Sequence, residues 1–125
     1  MLGIGVDMVD IREIRQLLEP ADSAFFRRTF TEGERLASQR AADPCEYLAA
    51  RFAVKEAVFK ALAQHTAAKG FDFRRVETLN AEDGSPHVVV DDFLRALMEE
   101  AGFRELAVSI TTEGPYAVAF VIAQP

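Results

Sequence analysis

Three residues of this chain combine the types needed to hold a phosphorylated substrate. Asp7 stands inside the apolar run LGIGVDMV, and Glu56 and Lys60 stand one turn apart in RFAVKEAVFKAL, residues 51–62. Two carboxylates from separate elements and one ammonium are a minimal kit for a Mg²⁺-bridged phosphate, because hard oxygens hold the ion while the ammonium neutralises remaining charge. Each residue also has an ordinary explanation. Glu56 and Lys60 fit an exposed (i, i+4) pair worth about 0.2–0.5 kcal/mol, and Asp7 fits a cap or ion pair at a strand end. The surroundings bear on the choice. At 3.6 residues per turn, Ala49, Ala53, Glu56, Lys60 and Ala63 share one stripe, and Leu48, Phe52, Phe59 and Leu62 share another. Small side chains on the charged stripe leave room for a body close against the helix. A carboxylate among apolar strand residues is costly to bury without a cation or donors. Gly3 and Gly5 share its face, while Ile4, Val6 and Met8 take the other.

The kit works only if strand and helix converge, so the remaining elements matter. After the N-terminal strand, IREIRQLLE (11–19) has helical spacing and stops before Pro20; ADSAFFRRTF reads as a second short helix, and Thr31 to Glu34 is a capping-box pattern opening a third. Asp43 as N-cap and Pro44 at the first helical position open a long central helix to about Ala63. VETLNAEDGSPHVVV reads as two strands around an Asp83-Gly84 turn, and DDFLRALMEEAG as a helix ending at Gly102. LAVSITTEGPYAVAFVIA closes the chain as two apolar strands joined at Glu113-Gly114-Pro115. AVAFVIA is apolar on both faces and needs cover on both, from the core or from a second subunit. With no internal repeat, low-complexity tract or linker, the expectation is one α+β domain over residues 1–125, with helices packed on a largely antiparallel sheet.

Composition excludes several function classes. The 125 residues are half hydrophobic, with a formal charge of -6 and a pI near 4.9. Neither a nucleic-acid backbone nor an anionic membrane surface is an expected partner. The one cysteine, Cys45, cannot form an internal disulfide, no His/Cys cluster has zinc-ligand spacing, and the first residues lack a basic n-region. No apolar run is long enough to span a bilayer. A cytoplasmic protein is expected. Four arginines, Arg12, Arg15, Arg27 and Arg28, cluster within this acidic chain, diluted by Glu13, Glu19 and Asp22. Lys55, near the apolar stripe, reads as a snorkelling or supporting residue, with direct substrate contact the lesser alternative.

Taken in order, GIGVDMVDI, then RFAVKEAVFKAL, then VSIT before a terminal hairpin resemble the holo-acyl-carrier-protein synthase group of 4'-phosphopantetheinyl transferases, over nearly the whole chain. The resemblance implies the transferase fold and a Mg²⁺-dependent reaction, with Mn²⁺ an alternative ion. That reaction moves 4'-phosphopantetheine from coenzyme A to a serine of an apo acyl carrier protein in fatty acid or polyketide biosynthesis, leaving adenosine 3',5'-bisphosphate. It further implies a homotrimer with active sites between neighbours. Asp7 and Glu56 take the metal-ligand positions, Lys60 that of a phosphate contact, and Glu56, directly or through water, accepts the serine proton. Arg51 either reaches coenzyme A or serves as a structural ion-pair partner. The four arginines either dock the acidic carrier or are solvated helix faces. Two departures stand out. AQHTAAKG replaces a glycine-rich turn near the coenzyme A phosphates, keeping only Gly70, with Lys69 or His65 as electrostatic substitutes, and Thr112 stands where a histidine is common. His87 receives no role. A non-catalytic relative that binds carrier or coenzyme A, and an unrelated Mg²⁺-dependent phosphohydrolase, are the alternatives.

Overall fold

Gly3 and Gly5 mark a close approach of two backbones. In the computed structural model, which describes residues 1–67 and 72–125, a Cβ at Gly5 would stand 1.8 Å from the Ala57 carbonyl oxygen and one at Gly3 2.4 Å from that of Ala61. Strand β1 (Gly3–Asp10) therefore lies backbone-to-backbone on helix α4 (Pro44–Ala63), a contact only glycine allows. Ala53 and Ala57, with Ala61, are buried on the helix side. The room left by the small residues is thus filled mainly by the protein's own strand, and Ala49 and Ala53 belong to the core rather than to a ligand-facing stripe.

Between β1 and α4 run three short helices, α1 (Ile11–Leu17), α2 (Ala24–Thr29) and α3 (Glu32–Ser38). A 3₁₀ turn (Phe73–Arg75), strands β2 (Glu77–Asn80) and β3 (Pro86–Val89), helix α5 (Asp92–Ala101) and strands β4 (Glu105–Glu113) and β5 (Tyr116–Gln124) complete the order. The sequence signals fall where side-chain chemistry enforces them. Asp43 accepts from the amides of Cys45 and Glu46 at 3.0 and 3.4 Å, opening α4. Gly102 ends α5 in the left-handed region, at φ 87°. Helix α1 ends two residues before the expected Glu19.

The α+β class holds, but the strands form two antiparallel sheets rather than one: β1-β5-β4, and the hairpin β2-β3. β5 sits centrally, with Asp7 opposite Ala119 and Ser109 opposite Phe120. Its inner residues Ala117, Ala119, Val121 and Ala123 are fully buried. The outer face of the same sheet is open in the single chain: Ile4, Val6, Met8 and Phe120 are 41% to 64% exposed. AVAFVIA thus receives cover on one side only. Among the described residues no helix is long and apolar enough to cross a membrane.

Lys55 takes the supporting one of its sequence readings. It does not snorkel: the side chain is fully buried, as is Glu34, and the two pair at 2.7 Å. Glu34 is also the capping-box carboxylate of α3, accepting from the Thr31 amide at 3.0 Å, while its other oxygen accepts from the Thr78 amide at 2.9 Å. One carboxylate thereby ties α3, α4 and β2 together.

Candidate active site

The alternation of β1 delivers Asp7. Positions 3, 5 and 7 point toward α4; the first two meet helix backbone, and the third arrives where the helix presents Glu56 and Lys60. Lys60 Nζ donates to Asp7 Oδ1 and to the Val6 carbonyl, both at 3.0 Å. The ammonium therefore pairs across elements, with Asp7, rather than with Glu56 one turn back. That outcome displaces the reading of Glu56 and Lys60 as an ordinary surface pair. Asp7, Glu13, Phe52, Glu56 and Lys60 line a cleft of about 430 Å³. Partial burial, and then the neighbouring Asp7 charge, hold the Glu56 carboxyl above the usual carboxylate range, while Lys60 opposes the shift.

A carboxylate whose ionisation is disfavoured by burial and by the charge of Asp7 is a setting that a divalent cation relieves. No group of three or more His, Cys, Asp or Glu side chains suited to a metal occurs among the described residues. Mg²⁺ is commonly held by one or two carboxylates, with water and substrate phosphates completing the octahedron. Asp7 and Glu56 fit that mode.

Other sequence-named residues lie elsewhere. Arg51 is 5% exposed and pairs with no carboxylate among the described residues; its guanidinium stacks over Tyr47 at 4.0 Å and donates to Asn80 Oδ1 at 2.8 Å, and its buried Nε has no partner among the described residues. It lines a second cleft, of about 390 Å³, with Tyr47, Asn80, Gly84 and Thr112. The departure at Thr112 thus concerns that cleft and not the Asp7 cleft. His65 packs edge-on to Phe103, 5.1 Å between centroids, and His87 lies 2.9 Å from Ser85 Oγ. Lys69 and Gly70 lie outside the described residues. Of the four arginines, Arg12 pairs with Asp10 at 2.7 Å, Arg15 with Asp43 at 2.8 Å and Arg27 with Asp22 at 3.5 Å. Arg28 lies over the Phe25 ring instead, at 5.9 Å.

Sequence reasoning missed an aromatic wall. Phe52 faces Phe25 at 5.6 Å and Phe73 at 5.7 Å, so it separates the Asp7 cleft from a third hollow, lined by Phe25, Arg28, Phe73 and Arg74. Phe52 carried a helical-stripe signal; Phe73, in a 3₁₀ turn, carried none.

Residues 3–121 match the model of the 4'-phosphopantetheinyl transferase superfamily. A holo-[acyl-carrier-protein] synthase of Thermodesulfovibrio yellowstonii is 41% identical over 120 residues, covering 96% of each chain. Among solved structures, the holo-[acyl-carrier-protein] synthase of Neisseria meningitidis superposes with a TM-score of 0.84 at 32% identity, covering 98% of both chains. The Chronobacterium ammoniagenes enzyme in complex with coenzyme A gives 0.82 at 29% identity, covering 99% of this chain and 97% of its own. The chain belongs to the 4'-phosphopantetheinyl transferase superfamily, in its holo-acyl-carrier-protein synthase group.

Proposed function

We propose that this protein transfers 4'-phosphopantetheine from coenzyme A to a serine of an apo acyl carrier protein, with Asp7, Glu56 and Lys60 as its working residues. The observation that carries the reading is the Asp7–Lys60 contact beside Glu56 in one open cleft, within a chain of this family. The serine oxygen attacks the phosphorus bearing the pantetheine arm. The bond from that phosphorus to the bridging oxygen breaks, and adenosine 3',5'-bisphosphate leaves with the electron pair. Glu56, ionised, accepts the serine proton; its raised affinity for protons brings it nearer to a useful general base. Lys60, half exposed, places its charge where the diphosphate oxygens would lie. Mg²⁺ or Mn²⁺, held by Asp7 and Glu56, would neutralise charge on those oxygens.

Arg51 and Lys69 are assigned to the phosphates of coenzyme A. Arg51 is preorganised by Tyr47 and Asn80, but it lines a different cleft from Asp7. A homotrimer reconciles the two half-sites. The open apolar face of Ile4, Val6, Met8 and Phe120 lies on the sheet that carries Asp7, and it is the surface on which another copy would pack. Light scattering that shows only a monomer at micromolar concentration counts against this assembly. Docking of the acidic carrier is assigned to the face of Arg12, Arg15, Arg27 and Arg28, with Arg28 as the principal free charge. A cytoplasmic location accords with the lone free Cys45.

Incubation with coenzyme A, Mg²⁺ and a panel of apo carriers, followed by intact mass, tests the function. One added phosphopantetheine per carrier is expected. Binding without modification would make the chain a non-catalytic relative, and release of product without any carrier would make it a phosphohydrolase.

A further inference from the structure

The transfer chemistry leaves Lys55 unused, although it is the residue next to Glu56. All three of its N–H donors are engaged inside the protein: with Glu34, with the Phe73 carbonyl at 2.8 Å and with the Val76 carbonyl. A pair that only joined α3 to α4 would need Glu34 alone, and two apolar side chains would do that at least as well, since desolvating the charges is expensive. Two of the three bonds instead go to main-chain oxygens at either end of the segment 73–76, which an apolar side chain could not hold. That segment carries Phe73, whose ring stands edge-on to Phe52 at 75°, and Phe52 in turn lines the cleft of Asp7, Glu56 and Lys60. Behind Phe52 lies the hollow of Phe25, Arg28, Phe73 and Arg74, on the side where Arg28 of α2 is exposed.

We propose that Lys55, paired with Glu34, is a positioning residue for carrier recognition: it fixes the backbone of residues 73–76 so that Phe73 and Phe52 stand as a rigid aromatic wall between the catalytic cleft and the hollow where the carrier's backbone and apolar side chains rest. This rests on the transferase reading. The wall does not touch the reacting atoms, so its loss acts on carrier binding before chemistry.

The neutral pair Lys55→Met with Glu34→Gln removes the ammonium without stranding a buried charge, and Phe73→Ala removes the wall while leaving the ion pair intact. Both are assayed for kcat, for KM toward carrier and toward coenzyme A, and for amide exchange over residues 73–78. The expected result is a rise of about tenfold in KM for carrier, with kcat and KM for coenzyme A within about threefold of wild type, and faster exchange over 73–78 in the double variant. A folded double variant with unchanged carrier KM overturns the inference, and so does one in which all three parameters deteriorate together. If the double variant does not fold, Phe73→Ala decides, and an unchanged carrier KM there overturns the inference. Should the wild type bind an apo carrier without modifying it, the transfer reading fails, while the carrier's affinity for the same variants still tests the wall; absence of any carrier binding refutes both.

Discussion

Helix α4 carries two lysine–carboxylate pairs five residues apart, and they behave as opposites. Lys55–Glu34 is fully buried, with every donor of the ammonium spent on protein. Lys60–Asp7 has a lysine side chain 49% exposed, and it opens onto a cleft. The same chemistry yields a structural pin in one place and an exchangeable site in the other, because burial decides whether a charge can change partners. A buried pair cannot lose one member without leaving the other uncompensated. A pair with one solvated member contributes less to folding, and the exposed Lys60 ammonium is therefore free to turn toward a ligand.

The sharpest way to break the comparison is on the catalytic side. Asp7→Ala and Glu56→Ala should each lower kcat by about a hundredfold to a thousandfold or more, because they remove charge stabilisation where it develops. Thermal midpoints should stay near wild type. Undiminished turnover in both variants would remove the cleft from the chemistry.

The two lysines supply the next test, on stability. Lys55→Met alone strands Glu34 and should cost about 3–5 kcal/mol, a large share of the roughly 5–15 kcal/mol that holds a domain folded. Lys60→Met should cost less than about 1 kcal/mol while lowering kcat. Urea unfolding of both variants checks the contrast; equal losses would mean that burial does not separate the pins from the site.

The residue types of the site were legible in the sequence, the contrast between its two lysines was not, and the difference has a physical reason. Strand alternation put Asp7 on the face of Gly3 and Gly5, and helical spacing put Glu56 and Lys60 on one stripe, because both are local rules; that strand and helix meet came only from the family resemblance. The opposite fates of Lys55 and Lys60 could not be read. Burial of Lys55 depends on the carbonyls of Phe73 and Val76, and on Glu34, whose capping-box role was visible but whose second role needs the Thr78 amide from distant chain. The ammonium's partners are main-chain atoms, which leave no residue-type signal. Arg51 shows the same limit: an ion-pair partner was a fair expectation for a helix arginine, yet Asn80 and Tyr47 hold it, and neither carries a charge.

The arginine face sharpens the comparison at smaller scale. Arg15 is tied to Asp43, the N-cap of α4, so reversing it would disturb the fold as well as a partner. Arg28 is paired with no carboxylate among the described residues and lies over Phe25. Arg28→Glu should therefore raise KM for carrier by about tenfold with KM for coenzyme A little changed, and added salt should move the wild type in the same direction, since exposed charges are screened. A carrier KM indifferent to both places docking on another surface.

The smallest expected effect concerns Glu56 and pH. Its folded-state pKa lies above the ordinary 4.5, from burial first and the Asp7 charge second. Between 4.5 and that raised value the native state binds more of the proton than the unfolded chain does. The group's contribution to stability is therefore fully present below 4.5 and lost as pH rises through the folded pKa. Glu56→Gln cannot ionise and escapes that loss. It should unfold at a slightly higher temperature than wild type near neutral pH, with the advantage vanishing below pH 4.5, although it transfers nothing. Melting curves across that range check the sign. An advantage confined to acid pH would mean that the carboxylate is stabilised in the fold, and that the cleft holds its charge more comfortably than the neighbouring Asp7 allows.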